Sequence, residues 1–208
     1  MRRCVIVGGA EIRTYDRVRQ YFRPDDFFIY CDCGLRHQEA LRAEPDLIVG
    51  DFDSHEKPET DRETIVLPVK KDDTDTVFAA KEAMRRGFDE FLLVGVSGGR
   101  LDHTLANVQN AANAAAQGTS VTILDEGSEI SFLTHGTLRL KKRPGWGLSV
   151  FSLSDASTGV CLRGVKYELE NAALDNRFPL GVSNEFDAPE AEITVEQGVL
   201  MVMQTKKQ

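Results

Sequence analysis

Two aspartates stand directly after an apolar segment, in the sequence Gly-Asp-Phe-Asp-Ser at residues 50–54. Residues 47–49 have the composition of a buried strand, and open α/β sheets bind ligands at the carboxyl ends of their strands. If the chain stays extended, Asp51 and Asp53 point to the same side. Neighbouring carboxylates repel each other unless a cation lies between them, and these hard oxygen ligands suit Mg²⁺. Taken alone, the motif is equally compatible with an ordinary polar turn.

A second acidic motif, Lys-Lys-Asp-Asp-Thr-Asp at residues 70–75, precedes a helical pattern at 76–86. Thr and Asp are ordinary capping residues at a helix start, so Thr74 and Asp75 need no further explanation individually. Capping does not require the two preceding lysines. A Mg²⁺-polyphosphate requires positively charged groups for the phosphates and carboxylates for the metal, and a helix N-terminus supplies further N–H donors. Here Lys71 and backbone N–H groups would bind phosphate, and Asp75 would bind the metal. This motif therefore favours a functional interpretation.

A third motif reads Gly-Val-Ser-Gly-Gly-Arg-Leu-Asp-His at residues 95–103. A strand, a glycine pair and then a helix form a loop that phosphate can approach closely. The G-x-x-x-x-G-K-[ST] pattern of a P-loop is absent. Arg100 can hold a phosphate with two hydrogen bonds, and Asp102 can join the metal ligands or orient Arg100. A Gly-Gly turn followed by a capping Asp is an equally good interpretation of this motif alone.

Two further strand ends carry glycine and aspartate at the same edge of the predicted sheet. Gly9 follows the first strand, and Asp32 follows the second in an Asp-Cys-Gly sequence. Five strand ends of this kind exceed what turn formation alone requires. Together they predict a Mg²⁺-nucleotide site in which Gly9, Asp32 and Gly99 are expected to contact the nucleotide.

Helical and strand patterns alternate over the first 125 residues or so. Short β-rich runs at 4–8, 27–31, 47–49, 64–67, 90–96 and 120–124 alternate with helical patterns at 12–22, 35–41, 74–86 and 101–116. Strands without strict polar alternation, separated by helices, indicate a parallel sheet covered on both faces. We therefore predict an α/β N-terminal domain, residues 1–126, with a mostly parallel sheet flanked by helices, which binds the nucleotide and carries out catalysis.

The pattern changes after residue 126, where helical periodicity ends. Strand-like runs follow at 130–134, 137–140, 148–153, 159–162, 165–169, 192–195 and 199–204, separated by Gly and Pro. This spacing predicts a C-terminal antiparallel β-sandwich domain, residues 127–208. The sequence Gly-Val-Ser-Asn-Glu-Phe at 181–186 is interpreted as a polar loop, and the lone Trp146 either packs or offers an exposed stacking face.

Composition argues against several other classes of protein. The 33 acidic residues outnumber the 25 Lys and Arg, so the net charge of −8 disfavours binding to nucleic acid. No apolar run approaches the ~20 residues of a membrane span. The four cysteines do not have the spacing of a zinc site, in which two closely spaced pairs of cysteines supply the ligands. We therefore predict reduced thiols in a cytoplasmic protein.

With all of these motifs in order, the chain resembles the thiamine pyrophosphokinase family. The matching segments are 50–54, 72–75, 98–103 with Asn107, 164–167 and 183–185, and they span nearly the whole chain. The resemblance implies transfer of pyrophosphate from ATP to the hydroxyl of thiamine, giving thiamine diphosphate and AMP. It also implies a homodimer whose active sites lie between the subunits.

The resemblance also implies roles for individual residues. The acidic Mg²⁺ and catalytic positions match Asp51, Asp53 and Asp75, and the positions around the phosphates match Lys71, Thr74, Arg100 and Asp102. The loop that meets thiamine matches Ser183 and Asn184. The stacking surface for thiamine is supplied either by Trp146 or by Met201 and Met203 in the last strand.

Other functions of the same acidic site stay open at this point. A γ-phosphoryl kinase would release ADP, and a phosphohydrolase would release phosphate without an acceptor. A non-catalytic thiamine or nucleotide sensor would bind its ligand without turnover. The sequence also leaves open which aspartate acts as the general base and which nucleotide is preferred.

Overall fold

Residues 1–52, 58–68 and 73–207 are described by the computed structural model of the chain, and they form two units. The first unit comprises Met1–Ala114 and Gly118–Glu126. The second comprises Ala115–Gln117 and the chain from Gly127 onward.

The first unit is built on a parallel sheet of short apolar strands. Its strands are β1 (Arg3–Val7), β2 (Phe27–Cys31), β3 (Leu47–Gly50), β4 (Glu63–Val66), β5 (Glu90–Val94) and β6 (Ser120–Leu124). Their order across the sheet is β6-β5-β1-β2-β3-β4, and all neighbours are parallel. Every residue of β1 is buried, as expected for a central strand covered on both faces.

Strand β1 is the point at which the order of strand addition in the sheet reverses. Strands β2, β3 and β4 are added on one side of β1, and the chain then returns to place β5 on the other side, where Arg3 pairs with Glu90 and Val7 with Val94. The helical connections on the two sides of such a switch point leave a crevice at the carboxyl ends of the strands. The predicted site residues of the first domain follow these strand ends.

Helices cover both faces of this sheet. They are α1 (Tyr15–Arg19), a 3-10 turn (Asp32–His37), α2 (Gln38–Leu41), α3 (Asp75–Arg85) and α4 (Leu101–Ala116). Val5 and Val7 pack towards Val18 of α1 and Leu41 of α2. Helix α3 has three buried alanines, Ala79, Ala80 and Ala83, and these small side chains allow close packing against β1, β2 and β3. The alternation of strands and helices predicted from the sequence is confirmed.

The first two helices differ from the sequence prediction. Helix α1 has only five residues, because Gln20, Tyr21 and Phe22 continue it with i→i+3 hydrogen bonds that tighten the chain into a turn. The segment predicted as a helix at 35–41 begins earlier, as the 3-10 turn from Asp32. Gly34 lies so close to the Val7 carbonyl that a side chain there would collide with it.

The second unit is a sandwich of two antiparallel sheets. Its strands are β7 (Ser128–Leu133), β8 (Gly136–Lys141), β9 (Trp146–Ser152), β10 (Ser157–Arg163), β11 (Leu169–Leu174), β12 (Gly181–Asn184), β13 (Glu190–Val195) and β14 (Leu200–Lys206). One sheet has the order β12-β9-β14-β7, and the other has the order β11-β10-β13-β8. Val150 and Val202 of the first sheet share a core with Leu162 and Ile193 of the second. The predicted fold class is therefore confirmed.

Two local predictions in this unit are wrong. The strand predicted at 165–169 lies later, as β11, and Val165 makes only an isolated bridge to Phe186. Gly164, with φ +71°, turns the chain out of an extended path at this point. The loop predicted at 181–186 begins with strand β12, in which Gly181 pairs with Val150. Gly181 has no side chain to collide with the Val150 carbonyl, so the two strands approach closely.

A buried carboxylate on α3 yields a stability prediction. Glu82 accepts hydrogen bonds from Arg85 at 2.6 Å and from Arg86 at 2.7 Å, and these contacts lower its pKa from an ordinary 4.5 to about 2. Because the folded pKa is depressed, the stabilisation is complete above pH 4.5 and is lost as the pH falls towards 2. Replacing Glu82 by Gln is expected to cost about 1–2 kcal/mol at pH 7 and little at pH 2.5. Urea denaturation at both pH values measures this; an equal loss at both would assign the effect to packing.

Candidate active site

The strand ends of the first unit surround a cleft of about 630 Å³. It lies beyond the carboxyl ends of β1, β2, β3 and β5 and beside the first residues of α3 and the loop before α4. Many of the lining residues are among the predicted nucleotide and metal residues: Gly9, Asp32, Asp51, Thr74, Asp75, Gly99 and Arg100. The structure therefore brings together residues that come from five separate sequence motifs.

Three carboxylates meet in this cleft. Asp32 begins the 3-10 turn after β2, Asp51 follows β3, and Asp75 begins α3; one oxygen of each lies within 4.8 Å of the other two. All three side chains are partly buried. Like charges at this separation repel, so the arrangement is favourable when a cation binds between them. Oxygen ligands at this spacing fit a Mg²⁺ ion.

Asp32 is held in the cleft by an unusual backbone conformation. Its φ is +40°, in the left-handed region that costs most residues energy. Gly50 permits this turn, because a Cβ there would lie 3.2 Å from the Asp32 Cα. The Cys33 thiol donates to Asp32 Oδ2 at 3.2 Å, and burial together with this carboxylate raises the pKa of Cys33. Cys33 is accordingly a protonated donor at neutral pH.

The glycine loop before α4 faces the same cleft. Gly98 has φ +89° and Gly99 has φ +64°, and a Cβ at either position would meet no other atom within 4 Å. The glycines are thus required by backbone conformation, and the open space beside them leaves room for a ligand. The amide of Asn107 donates to the Val96 carbonyl at 2.7 Å and so fixes the loop to α4.

Arg100 and Asp102 form an exposed ion pair at the start of α4. Their closest atoms, Arg100 Nη2 and Asp102 Oδ2, are 2.6 Å apart. The Arg100 guanidinium lowers the pKa of Asp102 to about 2. Within the residues that the structure describes, Asp102 is not among the three clustered carboxylates. Asp102 was expected either to join the metal ligands or to orient Arg100, and this geometry favours the second role.

Two predicted residues lie outside the described part of the chain. Asp53 and Lys71 fall in the segments 53–57 and 69–72. Phe52 has φ +52°, so the chain is not extended at the residue between Asp51 and the segment 53–57.

Sequence reasoning missed several residues of the cleft. Arg36 lines it from the 3-10 turn, and Asp32 belongs to the acidic cluster although it was assigned only to ATP. Glu11 and Ala10 also line it, just beyond the predicted Gly9. The sequence could have indicated these four residues, because all of them lie within a few residues of the carboxyl ends of β1 and β2, where the cleft was expected.

The residues predicted to meet thiamine lie in the second unit. Asn184 is buried; its Oδ1 accepts from the Tyr167 N–H at 3.0 Å and the Glu185 N–H at 2.9 Å, and its Nδ2 donates to the Tyr167 carbonyl at 2.8 Å. Ser183 is exposed with φ +61°, and its N–H donates to Ser149 Oγ at 3.1 Å. Asn184 thus fixes the local backbone, and Ser183 stays accessible.

Trp146 begins strand β9 and is partly buried. The Arg143 guanidinium lies 5.6 Å from the centre of its ring, in cation–π geometry. Met201 and Met203 alternate with buried Leu200 and Val202 along β14 and are partly buried on the opposite side of the strand. All three candidate stacking residues therefore keep some accessible surface.

Comparison with known proteins identifies relatives for both halves of the chain. Residues 18–123 match the family profile described as thiamin pyrophosphokinase, catalytic domain, and residues 135–200 match that described as thiamin pyrophosphokinase, vitamin B1 binding domain. The thiamine pyrophosphokinase of Bacillus subtilis is 26% identical over 163 residues, which are 75% of this chain and 76% of the relative. Thiamin pyrophosphokinase 1 of Caenorhabditis elegans is 26% identical over 195 residues, covering 88% and 80%.

Solved structures share the fold over the full length. The crystal structure of Bacillus subtilis thiamine pyrophosphokinase superposes with a TM-score of 0.88 at 22% identity, covering 99% of this chain and 100% of that one. A thiamin pyrophosphokinase family protein from Enterococcus faecalis superposes with a TM-score of 0.81 at 27% identity, with the same coverage. No helix in the described parts of the chain is long and apolar enough to cross a membrane.

Proposed function

This chain belongs to the thiamin pyrophosphokinase family of enzymes, and we propose that it transfers pyrophosphate from ATP to the hydroxyl of thiamine, giving thiamine diphosphate and AMP. The observation that carries this proposal is the meeting of Asp32, Asp51 and Asp75 beside a glycine loop at the carboxyl edge of a parallel sheet. Carboxylates for a metal and backbone groups for phosphate are the two requirements of a Mg²⁺-ATP site.

Mg²⁺ is the proposed metal. Asp32, Asp51 and Asp75 offer it partly buried oxygen ligands, and Asp53 is proposed as a further ligand. When bound, the ion would supply positive charge that offsets the negative charge of the phosphates. The separation of the three carboxylates supports this role, since negative charges this close together favour a bound cation.

The nucleotide is proposed to bind along the glycine-lined edge of the cleft. Gly9 and Gly99 let the phosphates approach the backbone, and α4, with 16 residues, directs its N-terminal dipole towards this region. Thr74 caps α3 through a hydrogen bond from the Val77 N–H at 3.3 Å, which fixes the start of the helix that carries Asp75. Arg100 and Lys71 are proposed to bind phosphate oxygens.

The reaction is a displacement at the β-phosphorus of ATP. The hydroxyl oxygen of thiamine forms a bond to this phosphorus as the bond from it to the oxygen shared with the α-phosphate breaks. AMP leaves with the shared oxygen, and the hydroxyl proton passes to one of Asp51, Asp53 or Asp75. The protein accordingly contributes positioning and charge neutralisation, with Asp102 orienting Arg100.

Thiamine is proposed to bind the second domain, residues 127–208, through Ser183 and the segment fixed by Asn184. The left-handed backbone of Ser183 is the kind of local strain that is found at binding sites. Trp146 or the Met201 and Met203 surface would stack on the cationic thiazolium ring.

A homodimer with active sites between its subunits is part of the same proposal. Both units carry exposed apolar side chains: Leu101 and Leu105 at the start of α4, and Tyr167, Phe178, Leu180 and Val182 in the second unit. Apolar surface of this kind is often covered by a second copy of the chain. None of the four cysteines, all of them in the described part of the chain, forms a disulfide, which supports the proposed cytoplasmic location, where thiols stay reduced.

Product analysis tests the reaction. Purified protein is incubated with thiamine, ATP and Mg²⁺, and nucleotides and thiamine esters are separated by chromatography. We expect AMP and thiamine diphosphate in equal amounts. ADP with thiamine monophosphate would instead indicate γ-phosphoryl transfer. Phosphate release without a thiamine ester would indicate hydrolysis, and binding without turnover would indicate a sensor.

Arg100 provides a prediction about phosphate binding. Replacing it by Ala is expected to lower kcat/KM for ATP by about 10²-fold, since a charge-stabilising donor is lost. Arg163→Ala is the matched control, because Arg163 is 60% exposed and paired with Glu170, as Arg100 is 71% exposed and paired with Asp102. Steady-state kinetics measure both variants, and an equal loss in the two would exclude a specific role for Arg100.

A further inference from the structure

The structure assigns a positioning role to His37, which orients the backbone of Ala10 at the wall of the nucleotide cleft. His37 ends the 3-10 turn that begins with Asp32, whereas Ala10 lies in the loop after β1. The imidazole thus joins two of the segments that line the cleft. This inference rests on the proposed function for its kinetic readout.

The hydrogen bonds of His37 define which ring nitrogen carries the proton. Nε2 lies 2.9 Å from the Ala10 carbonyl oxygen, and Nδ1 lies 2.8 Å from the Tyr15 hydroxyl. A carbonyl oxygen only accepts, so Nε2 must carry the hydrogen. Nδ1 is then the acceptor of the Tyr15 hydroxyl. Arg36 Nε, at 3.4 Å from Nε2, cannot donate to a nitrogen that already carries a hydrogen.

Ala10 is held from two sides at the cleft. Its N–H donates to the Gly95 carbonyl at 2.7 Å, and its carbonyl accepts from His37. The peptide that Ala10 forms with Glu11 therefore takes its orientation from the imidazole. Both residues line the cleft, together with Gly9. A change at the imidazole would rotate this peptide and move the surface on which the nucleotide lies.

His37 suits this task because it is buried and neutral. Its exposed fraction is 3%, and burial, together with the nearby positive charge of Arg36, lowers its pKa. Its contacts come from Tyr15 on α1, the Ala10 carbonyl and the adjacent Arg36; Glu11, the next residue of the loop, pairs with Arg13. A single tautomer with one donor and one acceptor holds both neighbours in fixed positions.

Two substitutions of His37 separate the two hydrogen bonds. The amide of His37→Gln reaches the position of Nε2 and can donate to Ala10, whereas the amide of His37→Asn reaches only the position of Nδ1 and can accept from Tyr15. Both remove the ring, so both are expected to lower Tm to a similar extent. Only the Asn variant releases the Ala10 carbonyl.

The test compares ATP binding and turnover in the two variants. We expect His37→Asn to raise both the Kd for ATP, from calorimetric titration, and the KM for ATP by about tenfold, with kcat changed less than about threefold. His37→Gln is expected to stay within about twofold of the parent in Kd and KM. Equal values in the two variants, whether both raised or both normal, would overturn the assignment.

Tyr15→Phe keeps the imidazole and removes only its hydroxyl partner, which covers the case in which the His37 variants do not fold. Loss of this partner frees the ring to turn, and we expect faster hydrogen exchange at the Ala10 amide and a Kd for ATP raised by about threefold. Unchanged exchange and an unchanged Kd would overturn the inference. Because Kd and exchange need no thiamine, these readouts stand even if the proposed transfer reaction fails.

Discussion

Replacing Asp51 by Asn is expected to lower the rate of thiamine diphosphate formation by about 10³-fold while leaving the fold intact. The amide has the size of the carboxylate but lacks its charge, so one of three clustered ligands is weakened. Chromatographic product assays over a range of Mg²⁺ concentrations measure the change. We also expect half-maximal activity to require more Mg²⁺ than in the parent.

A second readout of Asp51→Asn requires no turnover. Without Mg²⁺, the variant is expected to unfold at about the same temperature as the parent, because the amide has the size of the carboxylate that it replaces. Mg²⁺ is expected to raise the Tm of the parent and to have a smaller effect on the variant. Asp61→Asn, at an exposed position of the first unit, is the control and should behave like the parent. More than a tenth of parental activity in Asp51→Asn would remove Asp51 from the metal and catalytic residues.

Replacing Gly34 by Ala is expected to destabilise the protein strongly. The new Cβ would collide with the Val7 carbonyl and would lie 3.0 Å from the Val7 carbonyl carbon and 3.2 Å from that of Gly8, all of them backbone atoms of the central strand and its loop. We expect a cost of about 3 kcal/mol, or a fall in Tm of roughly 6–12 °C. Because Gly34 belongs to the turn that begins with Asp32, activity should fall as well.

Gly127→Ala is the matched control for this substitution. A Cβ at Gly127 meets no atom within 4 Å, so its effect should stay within about 1 kcal/mol. Thermal unfolding followed by circular dichroism compares the two variants. Equal Tm values would mean that the turn can move away from β1 at little cost, and the close approach would then have no structural importance.

The sequence could predict the location of a site residue where the secondary structure next to it fixes where its side chain lies. Asp51 and Asp75 could be predicted because an apolar strand and a capped helix each fix where the next side chain lies. The parallel sheet and the sandwich followed from periodicity for the same reason. By contrast, the left-handed turn at Asp32 lies against Gly50, where a Cβ would come within 3.2 Å of the Asp32 Cα, and this close approach joins residues that are distant in sequence.

Asn184 and His37 illustrate the same limit. The sequence gives no sign that the amide of Asn184, the last residue of β12, will hold the backbone of Tyr167. His37 likewise depends on partners from two other segments, Tyr15 and Ala10. Hydrogen bonds between distant segments follow from tertiary packing, and sequence periodicity carries no information about them.

The pairing of β1 with β5 also has a consequence for the order of folding. Arg3 lies beside Glu90, so the middle of the sheet closes only after a loop of more than 80 residues has been brought together. Strands β2, β3 and β4 can join β1 earlier, but they form only one side of the cleft. A nascent chain therefore lacks one side of the proposed nucleotide cleft until β5 has left the ribosome. We expect nucleotide to speed the final step of refolding very little and mainly to slow unfolding, because its binding surface is completed last.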